Sequence, residues 1–460
     1  MNLIRSLDIV KKNKVKIDKS PESFVVISTD VPKKPIKKRR FRLVHINYSL
    51  AFIGISFAAF GALISYRQDL VLKASLAKFA TKPGKYLVIF QNDAEIRPSG
   101  GFIGSYATLD WNVGIKDLKF GTNIYKLDNS FEKATYVEAP EPLKKHMNIN
   151  EWGMRDSNWA LDFRDAAKSV SWFYEKEVEQ KTDGVIAINT QAVINLLKIT
   201  GPINMTKYNL TLDSGNFRQI VQEEVEKKYF EDENNKILNE PKTILADLIP
   251  LLEERIKETS KVNLYHYITN QLYQKNILLY SEDNTIQESI NQYNWGGAIR
   301  ASTYDYLYIN RASLGGGKSS KNVIENISYK IDSNSEANLI ITRTHTGDGT
   351  WPDSKNSTYY RVVVPENSNL ISINVDGIDF AGQVDITNEY NRKVVGFKVD
   401  LDPGRSQAIT INYNLPFDIN NNYSLLLQKQ PGAPFESYSI NVLGNTLFNG
   451  TLDSDYEIKM

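Results

Sequence analysis

The pattern of apolar and polar positions divides the chain into three parts. An uncharged stretch of 24 residues, Leu43–Tyr66, precedes a region in which short apolar runs alternate with helical patterns. After Asn322, short segments alternate apolar and polar residues and no helical period intervenes. These patterns predict an apolar helix, a mixed helix–sheet region and an all-β region, in that order.

The mixed region is predicted to begin with a stalk at residues 67–83 and then a buried strand. Tyr86–Phe90 is short and apolar, as a buried strand is, and Val185–Ile188 has the same character. Between them, Phe163–Val178 places its apolar residues on one helical face, and Asp162 stands at the N-cap position. Further predicted elements are helices at about 214–230, 241–258 and 262–275 and a strand at 306–309 that returns to the sheet. We expect an α/β or α+β layered domain over residues 84–322.

The part after Asn322 is predicted to be a β-sandwich over residues 323–460. Its short segments follow one another at the spacing typical of all-β domains, with turns such as Asp376-Gly377 between them. The predicted strands cover residues 323–331, 337–344, 358–364, 369–375, 393–401, 406–414, 422–429 and 436–442.

The charge pattern around Leu43–Tyr66 predicts a single-pass membrane protein. Residues 33–42 hold seven Lys and Arg, whereas three basic residues follow the apolar stretch closely. The positive-inside bias places residues 1–42 in the cytoplasm, as a basic tail, and residues 67–460 outside the plasma membrane. A cleaved signal peptide is the alternative, but a 42-residue leader is too long for one. We therefore expect an uncleaved transmembrane helix at residues 43–66.

Composition limits the chemistry of the exterior part. Residues 67–460 carry a net charge of −8, so we expect no nucleic-acid partner. The chain has no cysteine, which excludes disulfides, thiolate nucleophiles and zinc–thiolate sites. Its four histidines lie far apart and form no metal-binding motif.

The polar segment that follows the first predicted strand is the strongest candidate site. Arg97 offers a planar fork that matches phosphate or carboxylate, and Glu95, like Asp93, could hold a divalent cation such as Mg²⁺. Gly100 and Gly101 would let backbone N–H groups approach a bound ligand. A tight hairpin in which Arg97 pairs with an acid of the same protein is the alternative.

A second polar cluster lies before the predicted helix at Phe163. Arg155 and Asp156 stand between Trp152 and Trp159, and aromatic residues in a polar segment suit the face of a sugar. Alternatively, the two charged residues form an ion pair in a loop.

The first cluster lies in a segment that resembles an uncharacterised bacterial family, domain of unknown function 4012. Phe90–Ala107 reads FQNDAEIRPSGGFIGSYA, close to the family pattern FQNNAELRPTGGFIGSYG. Met154–Phe163, Asp183–Pro202 and Tyr423–Gly432 also fit. The resemblance implies a membrane-anchored envelope protein and carries no established activity.

The order of elements is similar, more distantly, to the LytR-CpsA-Psr phosphotransferases, which attach polyprenyl-pyrophosphate-linked glycans to the cell wall. That resemblance implies a site with Arg97, Arg155 and Asp156 as catalytic residues and a magnesium ion on Glu95 and Asp156. Glu95 stands where that family has aspartate, and its further arginines are mostly missing. Two hypotheses follow: a magnesium-dependent glycan phosphotransferase, or a non-enzymatic module that binds a glycan, a cell-wall polymer or a protein.

Overall fold

The computed structural model describes residues 78–112, 115–121, 124–132, 135–224, 243–420, 423–434 and 436–460. These residues belong to one compact unit. Within the described ranges, no helix is both long and apolar enough to cross a bilayer. The predicted cytoplasmic tail, the transmembrane helix at 43–66 and most of the stalk lie outside the described residues, so the anchor stays a prediction.

The first layer is a five-stranded mixed sheet. Its strands are β1 (Gly84–Asn92), β2 (Phe102–Trp111), β3 (Ile115–Gly121), β4 (Gly184–Asn189) and β7 (Ile277–Ser281), and a small hairpin, β5 (Ile203–Met205) and β6 (Leu210–Leu212), lies apart from this sheet. The strand order is β3-β2-β1-β4-β7. The strand β1 pairs antiparallel with β2 and parallel with β4, and β4 pairs antiparallel with β7.

Helices cover both faces of this sheet. They are α1 (Ile124–Glu132), α2 (Glu141–Met147), α3 (Phe163–Val178), α4 (Thr190–Thr200), α5 (Phe217–Gln222), α6 (Thr243–Glu258), α7 (Lys261–Tyr273) and α8 (Asn284–Gln292). Successive residues of a strand point to opposite faces of its sheet. Val88 of β1 therefore packs in the apolar core that contains α4, α6 and α7, whereas Leu87 and Ile89 pack in the core under α3.

The local signals at the start of α3 are confirmed. Asp162 accepts a hydrogen bond from the backbone N–H of Arg164 at 2.9 Å, so it is the N-cap that the sequence predicts. The same device starts α4, where Asn189 accepts from Ala192 N at 3.0 Å directly at the end of β4. A strand therefore passes into a helix with no intervening loop.

The C-terminal region is β-rich, as predicted, and its two large sheets share one apolar core. Their strands are β8 (Asp305–Ser313), β9 (Val323–Ile331), β10 (Glu336–His345), β11 (Asn356–Pro365), β12 (Asn369–Val375), β13 (Ile378–Asp379), β14 (Asp385–Glu389), β15 (Arg392–Leu401), β16 (Ser406–Asn414), β17 (Ser424–Gln428), β18 (Glu436–Val442), β19 (Asn445–Leu452) and β20 (Tyr456–Lys459). The seven-stranded sheet has the order β13-β12-β16-β10-β9-β18-β19, and the six-stranded sheet has the order β14-β15-β11-β8-β17-β20.

The strand β8 corrects one expectation. The sequence places the strand at residues 306–309 within the layered α/β or α+β domain, but β8 lies in the six-stranded sheet between β11 and β17. All of its residues are buried, because Leu307 and Ile309 face the β-rich core while Tyr306 and Tyr308 pack against Leu161. The strand is thus covered on both faces, once by its partner sheet and once by the first layer.

Candidate functional site

The polar segment at residues 93–101 is the loop of the hairpin formed by β1 and β2. Backbone hydrogen bonds close it: Gly100 N donates to Arg97 O at 3.0 Å, and Phe102 N donates to Glu95 O at 2.9 Å. The hairpin that the sequence analysis left open as an alternative is therefore present. Every residue of the loop is buried, since it lies between the first layer and the β-rich region.

Arg97 lies at the centre of this loop with 1% of its surface exposed. Its Nε donates to Asp156 Oδ1 at 3.0 Å, and its Nη2 donates to Glu95 Oε1 at 3.0 Å. Its Nη1 donates to the backbone oxygen of Ser313, the last residue of β8, at 2.9 Å. The guanidinium therefore joins the two predicted clusters to each other and to the β-rich region.

The second cluster continues the network through Arg155. Its Nη1 donates to Asp128 Oδ2 at 3.1 Å, and its Nε lies 3.7 Å from Asp156 Oδ2. Asp128 also accepts from Met154 N at 2.7 Å and is itself completely buried. The structure thus brings Arg97, Arg155 and Asp156 together, and adds an acid that the sequence analysis missed.

The charges of this network nearly cancel. Burial disfavours the charged guanidinium of Arg97, but the carboxylates of Asp156 and Glu95 outweigh it, so the pKa of Arg97 lies above its ordinary value. Two arginines, Arg97 and Arg155, face three carboxylates, which are those of Glu95, Asp128 and Asp156. Counted over the described residues, the network therefore has no surplus positive charge to offer to an anion.

The two glycines of the loop are explained by close contacts within the chain. Gly100 has a φ of +141°, and a Cβ there would lie 2.1 Å from Gln91 Oε1. A Cβ on Gly101 would lie 2.4 Å from the backbone oxygen of Asn92. The space in front of Gly100 O is filled by Gly432, whose added Cβ would lie 2.1 Å from that oxygen. The chain itself therefore occupies the surroundings of both glycines. The cofactor site predicted at Gly100 and Gly101 stays a prediction.

A segment from the far end of the chain seals the loop. Gln430 Nε2 donates to the backbone oxygen of Arg97 at 3.2 Å and to that of Arg311 at 2.7 Å. Asn310 Nδ2 donates to Pro98 O at 2.8 Å. The family-like segments that surround Arg97 and Gln430 are therefore two sides of one buried interface.

Asp93 and Glu95 pair with different cations. Asp93 is completely buried between Arg218 and Lys321, and Lys321 Nζ lies 3.1 Å from Asp93 Oδ2. Burial alone would raise the pKa of Asp93, but Lys321 and Arg218 outweigh it and hold that pKa below its ordinary value. Both cations lie far along the chain from Asp93, so no local sequence signal could have found them.

The predicted magnesium ligands are engaged with arginine. Glu95 and Asp156 both pair with Arg97, and among the described residues no group of three or more acidic or histidine side chains is arranged to hold a metal ion. The predicted sugar face is also covered: Trp159 is nearly buried, with the guanidinium of Arg361 5.4 Å above its ring, and Trp152 packs edge-on against Phe173.

Comparison with known proteins supports the family resemblance. Residues 82–225 match the family model described as "Protein of unknown function (DUF4012)". The match begins just before β1 and contains the five charged residues that meet around Arg97, so the resemblance predicted from Phe90–Ala107 is confirmed for this part of the chain. The more distant resemblance to the phosphotransferases stays a prediction.

The other comparisons add little. No curated protein matches the chain. One solved structure, described as a "putative nutrient binding protein" from Legionella pneumophila, is 11% identical over 31% of this chain and 55% of that chain, with a TM-score of 0.22. A likeness at that level carries no argument about fold or function.

Proposed function

We propose that the chain is a membrane-anchored, extracytoplasmic cell-envelope protein that acts as a non-enzymatic binding or assembly module. The observation that carries this proposal is the state of Arg97. Its guanidinium is buried and makes its hydrogen bonds to Asp156, Glu95 and Ser313 of the same chain. An arginine that is buried and paired in this way holds separate parts of its own chain together.

Charge supports the same conclusion. A pyrophosphate carries two or more negative charges and needs several uncompensated cations in its site. Arg97 and Arg155 are balanced by Glu95, Asp128 and Asp156. An approaching pyrophosphate would have to displace buried carboxylates from their arginines, at a cost of several kcal/mol for each ion left unpaired, by analogy with other buried pairs.

The buried hydrogen bonds around Arg97 also suit a module that holds its binding surfaces in fixed positions. Contacts from Gln430, Asn310 and Ser313 to the loop fasten the β-rich region to the first layer. Binding surfaces on a rigid body lose less conformational entropy when they take up a partner. The anchor predicted at residues 43–66 would hold this body at the outer face of the membrane.

A magnesium-dependent glycan phosphotransferase is the second candidate. It is favoured by the convergence of Arg97, Arg155, Glu95 and Asp156 on one place, as that hypothesis requires. In that case Arg97 and Arg155 would neutralise a polyprenyl pyrophosphate while a magnesium ion on Glu95 and Asp156 stabilised the leaving phosphate. The network would then have to open when substrate binds.

Thermal unfolding of the full chain in detergent, with and without Mg²⁺ and inorganic pyrophosphate, separates the two candidates. A ligand that binds only the folded state raises the Tm. The binding module predicts the same Tm in all conditions. A Tm that rises with pyrophosphate only when Mg²⁺ is present, and that no longer does so in Arg97→Lys, would contradict the proposal and support the transferase.

A further inference from the structure

The outer face of the seven-stranded sheet has an unusual composition. In β9, β10, β16 and β18, every second residue points into the core and the residues between them are partly or fully exposed. Serine, threonine and asparagine occupy most of these outward positions; examples are Asn326, Ser328, Asn338, Thr410, Asn412 and Ser439. We call this surface the polar face.

The polar face is continuous across the central strands. Ser328 lies opposite Ile340 on one side and Ser439 on the other, and Ile340 lies opposite Thr410. With about 4.8 Å between neighbouring strands, this row alone spans roughly 14 Å. Partly buried Ile340 contributes an apolar spot in the middle of the row.

Some of the amides are held in place by their neighbours. Asn338 Nδ2 donates to Asn412 Oδ1 at 2.7 Å across the β10–β16 pair. Asn412 Nδ2 in turn donates to Ser372 Oγ on β12 at 2.9 Å. This cross-strand chain of hydrogen bonds fixes the orientation of side chains that can still accept or donate further bonds.

The polar face carries almost no charge, although 24% of the residues of the chain are charged. Among the outward positions of β9, β10, β16 and β18, only Lys330 and Glu336 are ionisable, and both lie at the same end of the sheet. Protein surfaces ordinarily mix many charged residues of both signs. An uncharged face offers nothing to attract an anionic polymer or to pair with a charged protein surface.

We propose that the polar face binds a neutral polysaccharide. Hydroxyl and amide side chains both donate and accept hydrogen bonds, as the hydroxyl groups of an uncharged sugar require, and Ile340 can pack against the C–H groups of a sugar ring. An open face that extends over several strands suits an extended polymer better than a small molecule, which fits a concave pocket. This inference rests on the proposed binding function and specifies its ligand class and surface.

Affinity electrophoresis of the full chain tests the inference. The protein migrates in a polyoxyethylene detergent, which has no sugar headgroup, through native gels that contain dextran, glucomannan or hydroxyethyl cellulose, with alginate as an anionic comparison. Asn326→Lys and Ser439→Lys place a charge on the polar face. Asn388→Lys is the matched control, since Asn388 is an exposed asparagine on β14 of the other sheet.

We expect at least one neutral polymer to retard the wild-type chain. Asn326→Lys and Ser439→Lys should weaken that retardation about tenfold or more in dissociation constant at an unchanged Tm, and Asn388→Lys should leave it unaltered. Retardation by alginate alone, or by no polymer, would overturn the inference. So would sedimentation evidence that the wild-type chain dimerises and that Asn326→Lys makes it monomeric, because the polar face would then bind a second copy.

The same experiment separates this inference from the proposed function. If a neutral polymer retards the wild type and both charged variants equally, the chain is a binding module that uses another surface. If the Tm measurement with Mg²⁺ and pyrophosphate contradicts the binding module, retardation that depends on Asn326 and Ser439 would still establish the polar face as a polysaccharide site.

Discussion

Arg97 donates a hydrogen bond from Nε to Asp156 Oδ1 at 3.0 Å, although 59 residues separate them in the chain. The contact joins the loop after β1 to the turn before α3. Asp156 also lies beside Arg155, whose other partner is the buried Asp128. This relationship is the main support for the proposed binding module, because the groups that could clamp a phosphate are already paired with one another.

The close contact between Gly432 and Gly100 provides a first prediction. We expect Gly432→Ala to lower the free energy of unfolding by clearly more than about 1–2 kcal/mol, the usual cost of a left-handed conformation for alanine, because the new Cβ would meet Gly100 O. Gly377→Ala is the control, since Gly377 has a similar φ of +81° and nothing within 4 Å of its added Cβ. Urea denaturation of both variants measures the difference. Equal losses in the two variants would mean that the Gly100–Gly432 contact is unimportant.

Asp305 provides a prediction about pH. It is completely buried at the start of β8, where Tyr329 and Tyr423 donate hydrogen bonds to its Oδ2 at 2.8 and 2.7 Å. Burial raises the pKa of Asp305 from 3.8 to about 6, although those hydrogen bonds favour the charged form. The folded state therefore binds this proton more tightly than the unfolded state does.

The sign of the pH effect follows from that difference. The contribution of Asp305 to stability is fully present below pH 3.8 and is lost as the pH rises through about 6. Asp305→Asn removes this titration, so the variant should lose less stability than the wild type between pH 4 and pH 7. Urea denaturation at several pH values tests this, and parallel pH profiles for the two proteins would show that Asp305 does not titrate in that range.

The role of Gln430 at the interface provides a further prediction. Its amide donates to Arg97 O and Arg311 O and accepts from Arg311 N at 2.9 Å. Gln430→Ala leaves these buried backbone groups without their partner, so we expect a loss of about 1–3 kcal/mol or more. Gln383→Ala, at an exposed position, should change stability by less than about 0.5 kcal/mol. If Gln430→Ala is as stable as Gln383→Ala, the interface does not depend on this amide.

Local elements of this chain could be predicted from its sequence, because their signals are local. The apolar runs of β1 and β4 and the N-cap at Asp162 depend on residues next to one another. The strand pattern after Asn322 was confirmed for the same reason. By contrast, residues 306–309 of β8 are apolar or aromatic on both faces, which indicates that they are buried and leaves open which sheet the strand joins.

The site was predictable only in part. The sequence marks Arg97, Arg155 and Asp156 as candidate site residues. Whether these residues bind a ligand or pair with one another depends on where the fold brings them together. Asp93 illustrates the limit, since its partner Arg218 is 125 residues away. Asp128 could have been found from a local pattern. Ile124, Leu127 and Phe131 have helical spacing and pack in one core, so they predict the helix that carries Asp128.

The most direct test of the account is a double-mutant cycle between Arg97 and Asp156, measured by urea denaturation without ligand. We expect Arg97→Ala to cost about 3–5 kcal/mol, because Glu95 and Asp156 would be left buried without their cation. The double variant should lose less than the sum of the single variants, with a coupling energy of about 0.5–3 kcal/mol. Arg405→Ala, at an exposed position, is the control and should be nearly neutral. Additive effects of less than about 0.5 kcal/mol at both positions would contradict the structural role and would indicate that Arg97 is kept for a ligand.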